Sequence, residues 1–245
     1  MCPCDSGFVK STRRAGPRPS TTLRRVSTES TTSEVRYSVQ EQIATLTLNA
    51  PERMNTISGP MLTAISELLL AADRDPGVRC IVITGEGRAF CAGLDLQAQM
   101  AGPKGGLGNL GDGSSFTGEF DLRDAPPTVL HNLDTPTVCA LNGGAAGYGL
   151  DLALGCDIRI AADTAKLNPG FAKRGIVPES GGTWLLPRIV GYATAAEIAF
   201  TGRTLLADEA EELGLVNHVV PADELPKRTA DLAGEIARNA PLAVR

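Results

Sequence analysis

Residues 136–157, PTVCALNGGAAGYGLDLALGCD, read as a buried strand, a turn with four glycines and a short apolar helix whose first turn carries one carboxylate, Asp151. Val138, Cys139, Ala140 and Leu141 suit a strand covered on both faces, and Asn142, Gly143, Gly144 and Gly147 supply turn chemistry. Leu150, Leu152, Ala153 and Leu154 restart the pattern as a helix. A glycine turn feeding a helix start leaves backbone N–H groups pointing at one spot, where an oxygen carrying negative charge is stabilised. The stretch is therefore a candidate active site.

The same plan occurs once upstream. Strand VRCIVIT (78–84) runs into GEGRAFCAGLDL (85–96), with Gly85, Gly87 and Gly93 in the turn and a helix start expected at Leu94 and Asp95. Two such turns supply two sets of N–H donors. Before them, Val35, Tyr37, Val39, Ile43, Leu46 and Leu48 alternate through two strands. Ser58 is placed as an N-cap with Pro60 in the first turn, and Met61, Leu62, Ile65, Leu68, Leu69 and Ala72 form a helical stripe that Asp75, Pro76 and Gly77 close.

Downstream, residues 121–133 are read as a helix, 157–162 and 165–168 as extended, and 184–190 as an apolar segment after a turn at Pro178, Glu179, Ser180, Gly181 and Gly182. Residues 193–201, 207–213 and 225–238 are read as helices, with a short strand at 217–220. Strands alternating with helices give an α/β chain. Residues 101–118 hold seven glycines and no periodicity, which reads as a surface loop of the kind that covers a site or as an ordinary insertion.

At 245 residues and 42% hydrophobic content the chain has enough material for a full core, most simply in one domain. No apolar run approaches the roughly 20 residues of a membrane span, so a soluble protein is expected. Residues 1–34, rich in Ser, Thr, Arg and Pro, are expected to be a disordered extension ahead of a folded domain at 35–245. They hold six of the 23 basic and three of the 28 acidic residues, which leaves 17 against 25 in the body. Such an acidic body argues against nucleic acid as a partner, yet anionic substrates remain open through backbone N–H groups and local Arg side chains. From Ser6 to Thr28 there is no acid, the pattern of a mitochondrial presequence; a nonfunctional extension is the simpler reading. The six cysteines have no metal-like spacing, and His131 and His218 lie in a helix and a strand, so a cytoplasmic setting without a metal site is expected.

The glycine turns must be weighed against a nucleotide site. GGAAGYG lacks the Lys and Ser or Thr of a P-loop, and its glycines are not spaced GxGxxG; only Asp163, at the end of the next strand, favours a dinucleotide. A serine hydrolase would want GxSxG and a usable His, and neither is evident. What remains is carboxylate chemistry. Asp151 lies three residues past Tyr148 on one helical turn, and Glu179 precedes the apolar segment. On residue type alone helix capping is the better account of Asp151 and at least as good an account of Glu179.

Three motifs in order, RAFCAGLDL (88–96), the stretch at 136–157 and GIVPESGGTWLLPRIVG (175–191), resemble the enoyl-CoA hydratase/isomerase, or crotonase, family. PERMNTIS (51–58) and LADEAEELGLVNHVVPADEL (206–225) are similar to it as well, and the similarity runs from about Val35 onward. The resemblance implies an α/β spiral of β-β-α repeats, a homotrimer or pair of trimers, and an acyl-CoA substrate in which coenzyme A is part of the thioester and no separate cofactor is used. It implies that the N–H groups of Leu94 and Tyr148 form an oxyanion hole. It further implies that Arg53, Met54 and Asn55, with Ala92, Gly93, Leu94, Asp95 and Leu96, line the coenzyme A pocket; Arg53 meets a phosphate or is simply a solvated Arg. Typical hydratases carry one glutamate at the position of Asp151 and a second at that of Phe171, so the hydratase pair is incomplete. Isomerases of the family match the acid at Glu179, and dienoyl-CoA isomerases match both, which favours proton shuttling by Asp151 and Glu179. An acyl-CoA-binding homologue with little catalysis is the alternative. Family members usually continue past a segment like NAPLAVR (239–245) with further helices, so a shortened helical part is expected.

Overall fold

The computed structural model of the protein describes residues 29–31, 34–95, 125–178 and 180–244. Strands β1 (Glu29–Thr31), β2 (Val35–Gln40) and β3 (Ile43–Leu48) form an antiparallel ribbon. The described chain thus enters the sheet at Glu29, ahead of the domain start expected at Val35. The two-residue turn between β2 and β3 holds Glu41 and Gln42 at φ 50° and 67°, the left-handed pair that matches the twist of a tight hairpin and that Asn-Gly would adopt more easily. Helix α1 (Gly59–Arg74) follows, capped by the Ser58 side chain, which accepts from the Met61 N–H at 3.2 Å.

From here the chain repeats one plan. A longer strand enters a seven-stranded sheet, and a short one enters a second sheet of four strands. The pairs are β4 (Cys80–Gly85) with β5 (Ala89–Cys91), β6 (Thr137–Leu141) with β7 (Gly144–Ala146), and β8 (Ile158–Ala162) with β9 (Lys166–Asn168). The large sheet is ordered β1-β2-β3-β4-β6-β8-β11, parallel from β3 to β11 (His218–Val220). The small one is ordered β10-β9-β7-β5, with β10 at Leu205–Leu206. Helices α2 (Pro126–His131), α3 (Tyr148–Leu154), α4 (Gly182–Val190), α5 (Tyr192–Thr201), α6 (Ala207–Glu212), α7 (Leu225–Arg238) and α8 (Pro241–Val244), with short 3-10 turns at Pro51–Arg53 and Ala172–Arg174, complete the described elements. Each unit steps one strand across both sheets, which is the β-β-α spiral.

The central strands are mainly apolar because both faces are covered. Cys80, Val82, Val138, Ala140, Ile160 and Ala162 pack on Leu225 and Ala233 of α7, while Ile81, Ile83, Cys139, Leu141 and Ala161 face the main core with α1 and α3. Arg159 on β8 is buried, its Nε donating to the Leu215 carbonyl at 2.8 Å and its Nη1 to the Cys156 carbonyl; burial pulls its pKa down.

Several boundaries differ from the sequence reading. The glycine stretches at 85–93 and 143–147 are not turns alone, since they contain β5 and β7, strands of three residues whose length is below any readable period. Leu94 does not begin a helix: it forms a parallel bridge with Ile57, and Asp95 is also non-helical. The apolar segment after Pro178 is helical with Pro187 inside it. The loop expected at 101–118 lies outside the described residues.

Candidate active site

The small sheet brings the two glycine turns together. Strand β5 pairs with β7 in parallel, Ala89 opposite Gly144 and Cys91 opposite Ala145. Beyond β5, Gly93 adopts φ 105°, and a Cβ built on it would lie 3.0 Å from the Ala146 carbonyl oxygen and 3.7 Å from the Tyr148 nitrogen. Only glycine permits both that conformation and that approach. The Ile57 N–H donates to the Gly93 carbonyl at 2.8 Å, and the Asp95 N–H donates to the Ile57 carbonyl at 3.0 Å. In a parallel bridge the residue between those two bonds turns its own N–H to the other side, so the Leu94 N–H points away from Ile57. Tyr148 is the first residue of α3, entered through Gly147 at φ 52°, where N–H groups project from the helix end. The Gly147 N–H is itself held by the Asn168 carbonyl of β9 at 2.9 Å.

Asp151 stands one turn further along α3 and is 2% exposed. Its Oδ2 accepts a hydrogen bond from the Ser180 hydroxyl at 2.6 Å. A Cβ on Gly182, the first residue of α4, would stand 2.1 Å from Asp151 Oδ1. The carboxylate therefore meets the beginning of α4 while standing in the first turn of its own helix. Phe171, next to the Pro169–Gly170 segment that passes Gly147, is buried and has no proton to exchange. Glu179 and Leu96, both placed in the site by sequence, lie outside the described residues.

The stretches expected to line a coenzyme A pocket are also joined. The Ala92 N–H donates to the Met54 carbonyl at 3.0 Å, which adds to the Ile57 bonds on either side of Leu94. Met54 and Asn55 both occupy the left-handed region, at φ 56° and 54°; Met54 is exposed, whereas Asn55 is wholly buried. The Asn55 side chain accepts from the Ala50 N–H at 2.8 Å and donates to the Glu86 and Ala89 carbonyls at 3.0 and 2.8 Å, so its amide shapes the loop from within. Arg53 is neither simply solvated nor an uncommitted cation. Its guanidinium pairs with Glu34, with Glu52 at 3.4 Å and with Asp95 at 3.7 Å, and its Nε donates to the Thr56 carbonyl at 3.2 Å.

Sequence reasoning passed over Ser180 and Gly182 as turn residues. The only signal for them was the SGG that follows Glu179, and it carried no hint of a partner on α3. Four cysteines are buried free thiols, with burial pushing Cys80 and Cys91 up to about 12. Among the described residues no group of three His, Cys, Asp or Glu side chains is disposed to hold a metal, and no helix is long and apolar enough to cross a membrane.

The family model described as enoyl-CoA hydratase/isomerase matches residues 38–245. The chain is 42% identical over 203 residues to a 1,2-epoxyphenylacetyl-CoA isomerase of Escherichia coli, covering 82% of this chain and 73% of that protein. It is 37% identical over 213 residues to a crotonyl-CoA hydratase of Syntrophomonas wolfei, covering 84% and 76%. In three dimensions it is similar to an enoyl-CoA hydratase structure from Geobacillus kaustophilus, with a TM-score of 0.77, 35% identity and coverage of 86% and 78%. The spiral of paired strands and the match along nearly all of the described chain agree, and the protein belongs to the enoyl-CoA hydratase/isomerase family.

Proposed function

We propose that the protein moves a proton within an enoyl-CoA thioester through an enolate held by the Leu94 and Tyr148 N–H groups, with Asp151 and Glu179 as the proton carriers. The thioester oxygen accepts from both N–H groups. A carboxylate takes a proton from carbon, the C–H electron pair moves into the conjugated system, and negative charge gathers on that oxygen. The proton returns at another carbon, so the product is an isomer of the substrate. Donors preorganised at the developing charge stabilise it without reorganisation, and losing one costs on the order of a hundredfold. Residues 53–55 and 92–96 line the coenzyme A end in this reading, Arg53 facing a phosphate at the expense of its carboxylate partners. No separate cofactor takes part.

The observation that carries the proposal is the approach of Gly93 to the Tyr148 nitrogen, with the buried Asp151 carboxylate one helical turn beyond. The burial of apolar Phe171, at the position matched to the second hydratase glutamate, favours a proton shift over hydration. Assembly as a trimer or pair of trimers is proposed with it, supported by the exposure of Tyr192 and Phe200 on α5. The test is turnover of 2-enoyl-, 3-enoyl- and dienoyl-CoA thioesters by the purified protein and its Asp151→Ala and Glu179→Ala variants. Unchanged rates in both variants overturn the acid/base assignment. Acyl-CoA binding with no turnover of any thioester would instead indicate a binding homologue.

A further inference from the structure

Asp151 is a carboxylate in an almost closed setting, and burying such a group is costly unless hydrogen bonds replace its water. Ser180 supplies one. Its hydroxyl donates to Oδ2 at 2.6 Å, and Ser180 is itself buried, so the bond is shielded from solvent. Gly182 closes the other side. A Cβ there would overlap Oδ1 at 2.1 Å and approach Cγ at 2.7 Å, so the carboxylate rests on the bare backbone at the first turn of α4. That end of a helix favours a negative group. Both contacts come from the segment 180–182, about thirty residues from Asp151 in sequence and joined to it only by folding.

We infer that Ser180 is a positioning residue for proton transfer: its hydroxyl, with the missing side chain of Gly182, holds the Asp151 carboxylate in one orientation. The inference deepens the proposed function and rests on Asp151 carrying the proton. A hydrogen bond donated to a carboxylate favours its charged form, so removing the donor raises the pH at which the group takes up a proton. The other titratable groups on elements packed against α3 are otherwise engaged. The Cys91 thiol of β5 is neutral, pushed up to about 12 by burial. His131 of α2 sits edge-on to the Trp184 ring, and Arg188 of α4 lies over that ring while donating to the Trp184 carbonyl. Glu179 is a second acid outside the described residues, so the Asp151 signal must be followed directly.

The test follows the Asp151 carboxyl by 13C NMR in Asp-labelled full-length protein, the resonance being assigned by its absence from Asp151→Asn. In Ser180→Ala the titration midpoint is expected to rise by about one pH unit, and Ser180→Thr is expected to return it toward wild type. The acidic limb of kcat/KM moves the same way, and kcat falls about tenfold or more with KM little changed. Gly182→Ala gives the second variant: its Cβ displaces the carboxylate and lowers kcat even with the Ser180 hydroxyl present. An unshifted carboxyl titration in Ser180→Ala overturns the inference, whatever happens to the rate. If the titration shifts while Asp151→Asn keeps full activity, the positioning contact stands as a physical fact and the proposed role of Asp151 is what fails.

Discussion

Gly149 and Cys91 meet backbone to backbone: a Cβ on Gly149 would stand 2.2 Å from the Cys91 carbonyl oxygen and 2.7 Å from the Cys91 Cβ. Helix α3 is thereby pressed onto strand β5 one residue after Tyr148 and three residues before Leu94 in their respective chains. The separation of the two turns depends on this contact, because backbone atoms have no rotamer by which to yield.

Substituting Gly149→Ala is expected to force α3 away from β5. Overpacking of a well-packed site costs about 1–3 kcal/mol, and the displacement falls on the Tyr148 N–H. Turnover should drop by at least tenfold, more than the stability loss explains. Urea denaturation alongside kinetics checks this; equal activity in a folded variant would show that the two turns need not keep this spacing.

For Asp151→Asn the expected outcome is a loss of about 100-fold or more in kcat, the usual contribution of a positioned acid/base, with acyl-CoA affinity nearly unchanged. The amide still accepts from Ser180 and occupies the same space. Single-turnover kinetics and equilibrium binding to the same thioester separate the two effects.

Asn55 forms three hydrogen bonds with the main chain, buried at Ala50 and Ala89 and half-buried at Glu86. Asn55→Ala leaves the Ala50 N–H without its buried acceptor and removes a residue suited to φ 54°, while the Ala89 carbonyl keeps the Asn142 side chain as a donor. An unsatisfied buried group costs about 1–3 kcal/mol, so a loss of that size is expected, read as a lower urea midpoint with an unchanged slope. A loss within experimental error would mean that water reaches the loop.

Arg53 sits among Glu34, Glu52 and Asp95. Replacing it with Ala leaves carboxylates beside the proposed coenzyme A channel. KM for an acyl-CoA is expected to rise severalfold with kcat unchanged, and the rise should shrink as salt screens the charges. A salt-independent change would point to lost packing.

The buried thiols predict a pH response. Cys80 and Cys91 are raised to about 12 in the folded state, so between the ordinary thiol range and that value the unfolded chain has lost protons that the folded one keeps. Stability is fully present below about pH 8.5 and falls as the pH rises toward 12. Denaturation midpoints across that range check the slope. Alkylation mapped by mass spectrometry at pH 8 should leave Cys80, Cys91, Cys139 and Cys156 unmodified until denaturant is added.

Local pattern made much of the architecture legible. The stripe from Met61 to Ala72 has one helical solution, Ser58 caps it as its residue type requires, and the apolar runs at β4 and β6 imply strands covered on both faces. The motifs at 88–96, 136–157 and 175–191 carried the family. These features depend on neighbours a few residues apart, whose chemistry is written in the order of the chain. Of the small sheet only the extended stretch at 165–168, which holds β9, was legible; β5, β7 and β10 were not, because strands of two or three residues have no period. Nor was the partner of Asp151. A carboxylate at a helix start looks the same whether it caps its own helix or faces another, and its meeting with Ser180 and Gly182 is set by the spiral that stacks β7–α3 against the chain leaving β9. The residue types at the site were determined by the sequence; which of them touch was decided by packing, since a contact across about thirty residues exists only when the core between them has closed.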